Sequence, residues 1–329
     1  TMTGEISHQW DDKSPRWRVH YFENYKKDES MYVWTSHHSV GDGLSLASYL
    51  INVKDECKDV GLPKMAKRNP LGLILVYLSL PLSFPYYLIK TLIQSPDKNA
   101  IHNERALSGV KVADVNSTVL FQDVKQAAKT ANMTFNDFVY GCFLEGMRNY
   151  VIDEHGEENA LETMKTCFPF SLRAPAPEGQ TLPMKNAVSA VYLNCNMKAE
   201  DCLKEAQARL KEAKKSFEPY VMRILGDFTN MFAPGPLAGF LIQDSGKHNT
   251  VDFSNVPGPK NAIYLKGKRL TDAFYLSPAI GLTNVAYSVF TFDGKLHISC
   301  TCDQAMVPNP KKLNDSFVAS IRKRLVSVQ

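Results

Sequence analysis

The chain has 329 residues, of which 44% are hydrophobic and 22% are charged, and its formal net charge is +4. This composition excludes a disordered or fibrous chain and predicts a globular protein with a sizeable core. Basic and acidic residues are mixed, and no basic block with interleaved aromatic residues occurs, so we expect no nucleic-acid partner. The length favours two domains, because single hydrophobic cores stop growing at roughly 250–300 residues.

The first predicted elements are two strands. Residues 17–22 and 31–36 are rich in aromatic and β-branched side chains, and the charged segment 25–30 lies between them. This pattern predicts a β-hairpin that leads into the segment HHSVGDG at 37–43. Beyond Gly43, apolar residues recur at helical spacing, so we expect a strand–loop–helix junction around HHSVGDG.

A stretch without charged residues follows at 70–89. Its length just reaches the roughly 20 apolar residues that a membrane-spanning helix needs, although Pro81 and Pro85 interrupt its second half. Basic residues flank it on both sides: Lys64, Lys67, Arg68 and Lys90. Three interpretations stay open, namely a kinked hydrophobic hairpin in a membrane face, a single span and a buried core helix. A second apolar stretch lies at 220–242 and can form part of the same membrane face. Its charged residues and glycines make it a poor spanning segment.

The remainder of the chain alternates irregularly between strands and helices. Strands are predicted at 110–119, 166–172 and 186–197, helices at 121–130, 136–151, 199–217 and 310–325, and a hairpin of 284–292 with 295–302 around Asp293-Gly294. Because regular βαβ alternation is absent from this order, it favours α+β layers over a doubly wound sheet.

Cysteine usage indicates a reducing compartment. The seven cysteines are odd in number and include no CxxC pair, in a chain too long to need disulfide support. Cys300 and Cys302 stand two apart in an alternating run, so we expect them on one strand face as core or tunnel lining.

HHSVGDG is the segment whose residues carry chemistry. His38 is the candidate general base, because an imidazole has a pKa near neutral pH. Asp42 is expected to accept an ion pair or hydrogen bonds that fix the loop, and Gly43 to allow close approach of backbone and substrate. The alternatives are a His-His metal pair and two ordinary surface histidines, but the attached acid and glycine at a strand–loop–helix junction favour a functional loop.

Other catalytic classes find little support. The six further histidines show no spacing that completes a metal site, so we expect no metal. The chain contains no G-x-S-x-G elbow, no Walker loop and no G-x-G-x-x-G segment, and this argues against a serine hydrolase and a bound nucleotide cofactor.

The motifs together resemble a known family. HHSVGDG matches the HHxxxDG signature of the CoA-dependent acyltransferase superfamily, which includes chloramphenicol acetyltransferase, carnitine acyltransferases and condensation domains of non-ribosomal peptide synthesis. Five further segments resemble wax ester synthase/diacylglycerol acyltransferases in the same order. They are SPRW at 14–17 for PLW, TFND at 134–137 for TxND, FPFSLR at 168–173 for PVSLR, Lys185-Asn186 for Gly-Asn, and NVPGP at 255–259.

The chain also departs from that family. SPRW is not a clean PLW, Lys185 replaces a glycine, and only 36 residues precede the two histidines, fewer than in family members. The resemblance implies two chloramphenicol-acetyltransferase-like α+β subdomains around a central tunnel, and we expect the N-terminal one to be incomplete. Residues 1–105 are assigned to it, with a hydrophobic membrane-facing segment at about 70–93, and residues 106–329 form the C-terminal subdomain.

The resemblance also implies roles for individual residues. The catalytic residues are expected to be His38, His37, Asp42 and Gly43. His38 deprotonates an acceptor hydroxyl, His37 supports the loop, Asp42 orients it, and Gly43 lets the substrate approach. Arg173 is a candidate partner of Asp42, or otherwise part of a structural ion pair elsewhere. Further residues are expected to line a substrate tunnel or support it: Asn136, Asp137, Asn255, Pro257 and Gly258. Their alternative roles are capping of a helix for the first two and a tight connection between strands for the last three.

The function implied is an O-acyltransferase that moves a fatty acyl group from acyl-CoA to a long-chain alcohol or diacylglycerol, giving wax ester or triacylglycerol. Acyl-CoA is then a co-substrate, and no bound cofactor is expected. The apolar stretch favours a cytosol-facing membrane, at the endoplasmic reticulum, a lipid droplet or another organelle. One alternative is an inactive member that serves as a structural or lipid-binding subunit of a larger membrane assembly. Another is an acyltransferase with a different acceptor, such as an amine.

Overall fold

The computed structural model describes residues 10–11, 13–52, 55, 70–102, 107–173, 182–259, 262–279 and 281–327. The basic residues predicted to precede the apolar stretch, at 64, 67 and 68, lie outside these ranges. The strands are β1 (Trp17–Lys26), β2 (Glu29–Ser36), β3 (Lys111–Leu120), β4 (Thr163–Ser171), β5 (Val188–Asn196), β6 (Val251–Val256), β7 (Tyr264–Leu265), β8 (Lys268–Arg269), β9 (Val285–Phe292) and β10 (Lys295–Asp303). The α-helices are α1 (Gly43–Asn52), α2 (Pro70–Leu92), α3 (Phe121–Thr130), α4 (Phe135–His155), α5 (Cys202–Lys215), α6 (Glu218–Phe232), α7 (Gly235–Ser245) and α8 (Pro310–Ser327).

The N-terminal hairpin forms as predicted. β1 and β2 pair antiparallel, and the turn between them is shorter than the charged segment suggested, because both strands extend into it. Asp28 adopts a φ of 61° there, a left-handed conformation that aspartate tolerates in tight turns. The rings of Tyr21 and Tyr32 lie opposite each other, 4.8 Å apart, as a cross-strand pair.

The apolar stretch forms the single helix α2, with Pro81 and Pro85 inside it. It is therefore not a hairpin. It is not a buried core helix either, since Leu78 and Tyr86 are exposed and Leu82 is 83% exposed. Within the described ranges, none of the helices combines the length and apolar composition needed to cross a membrane.

A mixed six-stranded sheet organises the rest of the chain. Its strand order is β3-β10-β9-β6-β4-β5, with β6 parallel to both β4 and β9 and the other neighbours antiparallel. The prediction of an α+β fold is confirmed. The central strand β6 was not predicted, because its six residues carry too short an apolar pattern to stand out from a loop.

Four helices, α3, α4, α5 and α8, pack on one face of this sheet and enclose the main core. Cys300 and Cys302 are fully buried in that core, as expected of one strand face. Helix α4 lies between α5 and α8 because it carries glycines at the contacts. A Cβ atom at Gly141 would meet Leu203 Cα at 2.7 Å, and one at Gly146 would meet Phe317 Cα at 2.6 Å.

The opposite face of the sheet carries the helix that follows HHSVGDG. Ala47 of α1 packs in a second, smaller apolar cluster with Val256, Phe290 and Phe292 of the sheet. The sheet therefore separates a helix-covered core from the face on which the 37–43 loop is held.

The glycine contacts of α4 give a stability prediction. Gly146→Ala should destabilise the protein by about 1–3 kcal/mol, because the added methyl group collides with the α8 backbone. The matched control is Gly226→Ala in exposed α6, where no atom lies within 4 Å of the new Cβ. That control should gain up to about 1 kcal/mol from helix propensity. Urea unfolding midpoints measure both, and equal shifts of the same sign would contradict the packing argument.

Candidate active site

The loop 37–43 joins the end of β2 to the start of α1, so the predicted strand–loop–helix junction is confirmed. The backbone N–H of His37 donates to the Arg16 carbonyl oxygen at 2.8 Å. The N–H of Val40 donates to the His37 carbonyl oxygen at 3.0 Å, which tightens the turn. Backbone hydrogen bonds on both sides of the two histidines therefore fix the conformation of the loop where it follows β2.

His38 is half-buried, and its Nδ1 lies 3.0 Å from Nδ2 of Asn186. Burial lowers the pKa of His38 below its ordinary value, because a buried imidazole loses the hydration that favours its charged form. The negative charge of Asp42 and a hydrogen bond to the His38 backbone oppose that shift of the pKa. His38 is therefore neutral at neutral pH, the form in which one ring nitrogen can accept a proton.

His37 is placed differently from its neighbour. Its side chain is exposed, and its Nδ1 accepts the backbone N–H of Ser39 at 3.2 Å and lies 2.7 Å from the Ser39 hydroxyl oxygen. These contacts stabilise the turn of the loop. The two adjacent histidines thus have separate surroundings, and Asn186 contacts the ring of His38.

Asp42 is buried and its carboxylate is fully engaged. Oδ1 accepts the backbone N–H of Ser45 at 3.0 Å, in the manner of a helix N-cap for α1. Oδ2 accepts the Ala187 backbone N–H at 2.9 Å and a hydrogen bond from Nη2 of Arg173, also at 2.9 Å. The carboxylate therefore ties the start of α1 to residues 173 and 187.

Arg173 is the partner of Asp42, one of the two roles that the sequence left open. Both side chains are less than a tenth exposed, so this is a buried ion pair. Nη1 of Arg173 donates to the Pro183 carbonyl oxygen at 2.9 Å. Its Nη2 also contacts the Ser45 hydroxyl oxygen at 2.7 Å and the Lys185 carbonyl oxygen. The guanidinium group thus holds residues 183–187 against the loop, and Asn186 is the residue of that segment that contacts His38.

Gly43 allows a close approach, and the group that approaches it is a side chain from another segment of the protein. A Cβ atom there would lie 2.8 Å from Cγ2 of Val256, inside the NVPGP segment. Gly258 in the same segment passes still closer to the sheet, since a Cβ would lie 1.8 Å from the Thr291 carbonyl oxygen. Its N–H donates to the Thr291 hydroxyl oxygen at 3.0 Å. The NVPGP segment, which includes Pro257, is therefore a tight connection that packs against both α1 and β9.

Asn136 and Asp137 stand at the first turn of α4. Asp137 forms a capping box with Thr134, in which each side chain accepts the other residue's backbone N–H. Asn136 accepts a hydrogen bond from Nδ2 of Asn255 at 2.6 Å. Helix capping, the alternative kept open for this pair, therefore describes Asp137, whereas Asn136 links α4 to the NVPGP segment.

The structure brings most of the predicted residues into one region. His37, His38, Asp42 and Gly43 share the loop, and Arg173 reaches it from the end of β4. Two contributors were missed by the sequence analysis. Ser45 had a usable signal in its position three residues after the capping Asp42, and Asn186 was quoted only as part of a motif, without a role.

The expected tunnel stays a prediction. One surface cavity, of about 600 Å³, is lined by α4 and α8, and another, of about 780 Å³, lies beside α3. Neither of these two cavities is lined by residues of the 37–43 loop. Among the residues that the structure describes, no group of three or more histidine, cysteine or acidic side chains is arranged to hold a metal ion.

Similar sequences identify relatives of the chain. The family model of the WS/DGAT C-terminal domain matches residues 184–323. Wax ester synthase/diacylglycerol acyltransferase 5 of Arabidopsis thaliana is 23% identical, over 97% of this chain and 73% of the relative. A probable diacylglycerol O-acyltransferase of Mycobacterium tuberculosis is 24% identical over 63% of this chain and 45% of the relative.

Similar folds occur in solved structures. A wax ester synthase/diacylglycerol acyltransferase from Marinobacter aquaeolei VT8 superposes with a TM-score of 0.64 at 16% identity, covering 99% of this chain and 75% of that chain. The starter condensation domain of rhizomide synthetase gives a TM-score of 0.56 at 11% identity, with 96% and 70% covered. The chain shares its fold with these acyltransferase and condensation-domain structures. Its relatives are named as acyltransferases, which supports an acyltransferase enzyme. Residues 184–323 match the WS/DGAT C-terminal domain, and relatives similar over nearly the whole chain are named wax ester synthase/diacylglycerol acyltransferases.

The buried ion pair gives a second stability prediction. Asp42→Asn leaves the Arg173 guanidinium buried beside an uncharged amide, and should cost about 3–5 kcal/mol of unfolding free energy. The control is Glu162→Gln, which removes an exposed partner of Lys198 and should leave stability unchanged within error. Calorimetric melting of both variants compares them. A cost for Asp42→Asn as small as that of the control would mean that the pair does not hold the loop.

Proposed function

We propose that this chain is an O-acyltransferase that transfers a fatty acyl group from acyl-CoA to a long-chain alcohol or diacylglycerol. The observation that carries the proposal is the setting of His38, a half-buried imidazole with a lowered pKa and a side-chain partner at Nδ1. Such an imidazole has the free lone pair that general base catalysis requires at neutral pH.

In the proposed reaction, Nε2 of His38 accepts the proton of the acceptor hydroxyl as its oxygen attacks the thioester carbonyl carbon. The tetrahedral intermediate collapses by breaking the carbon–sulfur bond. The departing CoA thiolate then takes the proton from the His38 imidazolium. One ester and one CoA thiol form, and His38 returns to its neutral state.

Asn186 is the proposed positioning residue of this reaction. A side-chain amide can offer either its NH₂ group or its oxygen to a ring nitrogen. The structure places the NH₂ group at Nδ1 of His38, and the proposed reaction uses the amide turned by 180°. The oxygen then faces Nδ1 and holds a proton there, which leaves the lone pair on Nε2. The same oxygen accepts a hydrogen bond from the imidazolium after proton transfer, so Asn186 favours both states of the base.

Asp42 acts on His38 through its charge. Its carboxylate oxygens are taken up by Ser45, Ala187 and Arg173, so it orients the loop. Its negative charge raises the pKa of His38 and partly offsets the effect of burial. The Asp42–Arg173 pair therefore supports the loop, and His38 transfers the proton.

The substrate class is proposed from the relatives and from the surface of the chain. The Arabidopsis relative is named for wax ester and diacylglycerol acyl transfer, and the M. tuberculosis relative for diacylglycerol acyl transfer. The exposed apolar helix α2 fits substrates that reside in lipid. Acyl-CoA enters as co-substrate, and the proton transfers above need no bound cofactor.

Replacement of His38 tests the proposal directly. With palmitoyl-CoA and either hexadecanol or diacylglycerol, His38→Ala should lower kcat/KM by about 10²–10⁴-fold, since the general base is lost. His37→Ala is the matched control and should cost less than about tenfold, because that ring is exposed and contacts its own loop. Release of CoA thiol and ester formation measure the rate. An intact protein without ester formation, or equal rates for wild type and His38→Ala, refutes the proposal.

The pH profile carries a further prediction about the pair of His38 and Asn186. Since burial lowers the pKa of His38, kcat/KM of the wild type should fall only as the pH drops below the ordinary histidine value of about 6.5. Asn186→Ala should reduce kcat by about 10–100-fold with KM little changed, because His38 loses its orienting partner. Asn186→Asp keeps an accepting oxygen and adds a negative charge that raises the pKa of His38.

The aspartate variant should therefore retain more activity than the alanine variant and should move the acid limb of the profile to higher pH. If Asn186→Asp is as slow as Asn186→Ala, with an unmoved acid limb, Asn186 does not orient the base through its oxygen. Circular dichroism spectra matching the wild type show that neither variant has simply unfolded.

A further inference from the structure

The cavity beside α3 has a lining that combines positive charge, an aromatic ring and side-chain amides. Its volume is about 780 Å³, and it is bounded by α3, by the turn that follows and by the start of α4. Lys125 and Lys129 both line it, because residues four apart share one face of a helix. Phe135 of α4 also lines it. Four amide side chains complete much of the polar lining, namely those of Gln122, Gln126, Asn132 and Gln207.

The two lysines of the cavity are free to meet a ligand. Both are exposed, and in the part of the chain that the structure describes neither forms an ion pair with a carboxylate. The lining also contains the acidic residue Asp137, but that side chain is buried and its Oδ1 lies 3.4 Å from Nζ of Lys214. The cavity therefore presents positive charge to solvent.

An aromatic ring lies next to this charge. The half-buried ring of Phe135 lies 5.3 Å from the ring of Phe121, and Nζ of Lys125 lies 5.8 Å from the centre of the Phe121 ring. A planar base can stack on an aromatic side chain, and a lysine ammonium binds phosphate as a point charge. The lining thus suits a ligand that joins an aromatic base to phosphate groups.

The cavity and the candidate active site meet at the same strand end. Asn136 stands between Phe135 and Asp137 of the lining, and its side-chain oxygen accepts the hydrogen bond from Asn255 near the end of β6. The next residue of β6, Val256, is the one that Gly43 approaches. The end of β6 therefore contacts the rim of the cavity on one side and the loop that contains His38 on the other.

We propose that this cavity binds the nucleotide end of acyl-CoA, with Lys125 and Lys129 at its phosphate groups and the adenine base against Phe135. This inference rests on the proposed function, because it takes acyl-CoA as the donor. CoA carries adenine, a 3′-phosphate and a diphosphate at one end, and its thioester at the other end of a flexible arm. The arm runs from the cavity past the Asn136–Asn255 contact toward His38.

The composition of the lining agrees with this division of the donor into two ends. The nucleotide takes no part in the proton transfers, so its site needs none of the residues of the 37–43 loop. A free inorganic phosphate would use the lysines alone and would leave the ring and the amide side chains without a role. The base and the phosphates together use all three kinds of lining group.

Calorimetric titration of the whole chain with CoA tests the site without turnover. The double variant Lys125→Ala/Lys129→Ala should weaken CoA binding by about tenfold or more, because two charge-assisted contacts to phosphate are lost. Wild type should bind CoA more tightly than dephospho-CoA, and the double variant should lose most of that preference. His38→Ala should bind CoA like the wild type while forming no ester, so failure of this site and failure of the proposed base are distinguishable.

Two matched variants separate a binding site from a general effect of charge. Lys26→Ala/Lys27→Ala removes the same charge from the exposed turn of the N-terminal hairpin and should bind CoA like the wild type. Lys125→Arg/Lys129→Arg keeps the charge in the cavity and should restore most of the affinity.

Steady-state kinetics give a second measurement. In Lys125→Ala/Lys129→Ala, the KM for palmitoyl-CoA should rise toward the KM for palmitoyl-pantetheine, which has the thioester and the arm but no nucleotide. The loss should thus concern recognition of the donor's remote end.

Four results overturn the proposal. They are wild-type protein that does not bind CoA, a double alanine variant that binds CoA as tightly as the wild type, and an equal loss in the hairpin-turn control. The fourth is adenosine 3′,5′-bisphosphate that binds no more tightly than inorganic phosphate, because the cavity would then hold an anion without recognising the base.

Discussion

The candidate active site depends on one buried ion pair, between Asp42 and Arg173. The two residues are 131 positions apart in the chain, and their charges are withdrawn from water together. A buried charge is tolerated only when it is paired and hydrogen-bonded. Arg173 therefore requires Asp42 at the start of α1, and Asp42 requires Arg173 at the end of β4. The loop between β2 and α1 cannot shift without breaking this pair.

The consequence for His38 is indirect. Arg173 also holds the carbonyl groups of Pro183 and Lys185, so the segment that follows is fixed against the loop. Asn186 stands in that segment, with its amide group at the ring of His38. Burial lowers the pKa of His38 and the nearby Asp42 charge raises it, and burial has the larger effect. The ion pair thus fixes the side-chain partner of His38, and burial keeps the imidazole neutral.

The sequence predicted what depends on local pattern. The hairpin of β1 and β2, the helix after Gly43 and the C-terminal hairpin carry their periodicity and turn residues in contiguous segments, and each formed as predicted. Asp137 as a helix cap follows from Thr-x-x-Asp spacing alone. Contacts between segments far apart in the chain were harder to predict from the sequence. Asn186 meets His38 across 148 positions, and a single sequence contains no signal for that distance. The sequence could name Arg173 as a partner for Asp42 only through a resemblance.

The apolar helix α2 shows why composition alone left three interpretations open. Charge-free residues suit a core helix, a span or a kinked hairpin in a membrane face equally well, and the choice depends on what surrounds them. In the fold, α2 contacts α6 near its C-terminal end, and much of its circumference remains exposed. Since Arg223 of α6 donates to the carbonyl oxygen of Asn186, the exposed helices α2 and α6 are connected to the residue that contacts His38. For the proposed transfer of a long acyl chain, this connection sets apolar side chains on the same helix that contacts the partner of His38.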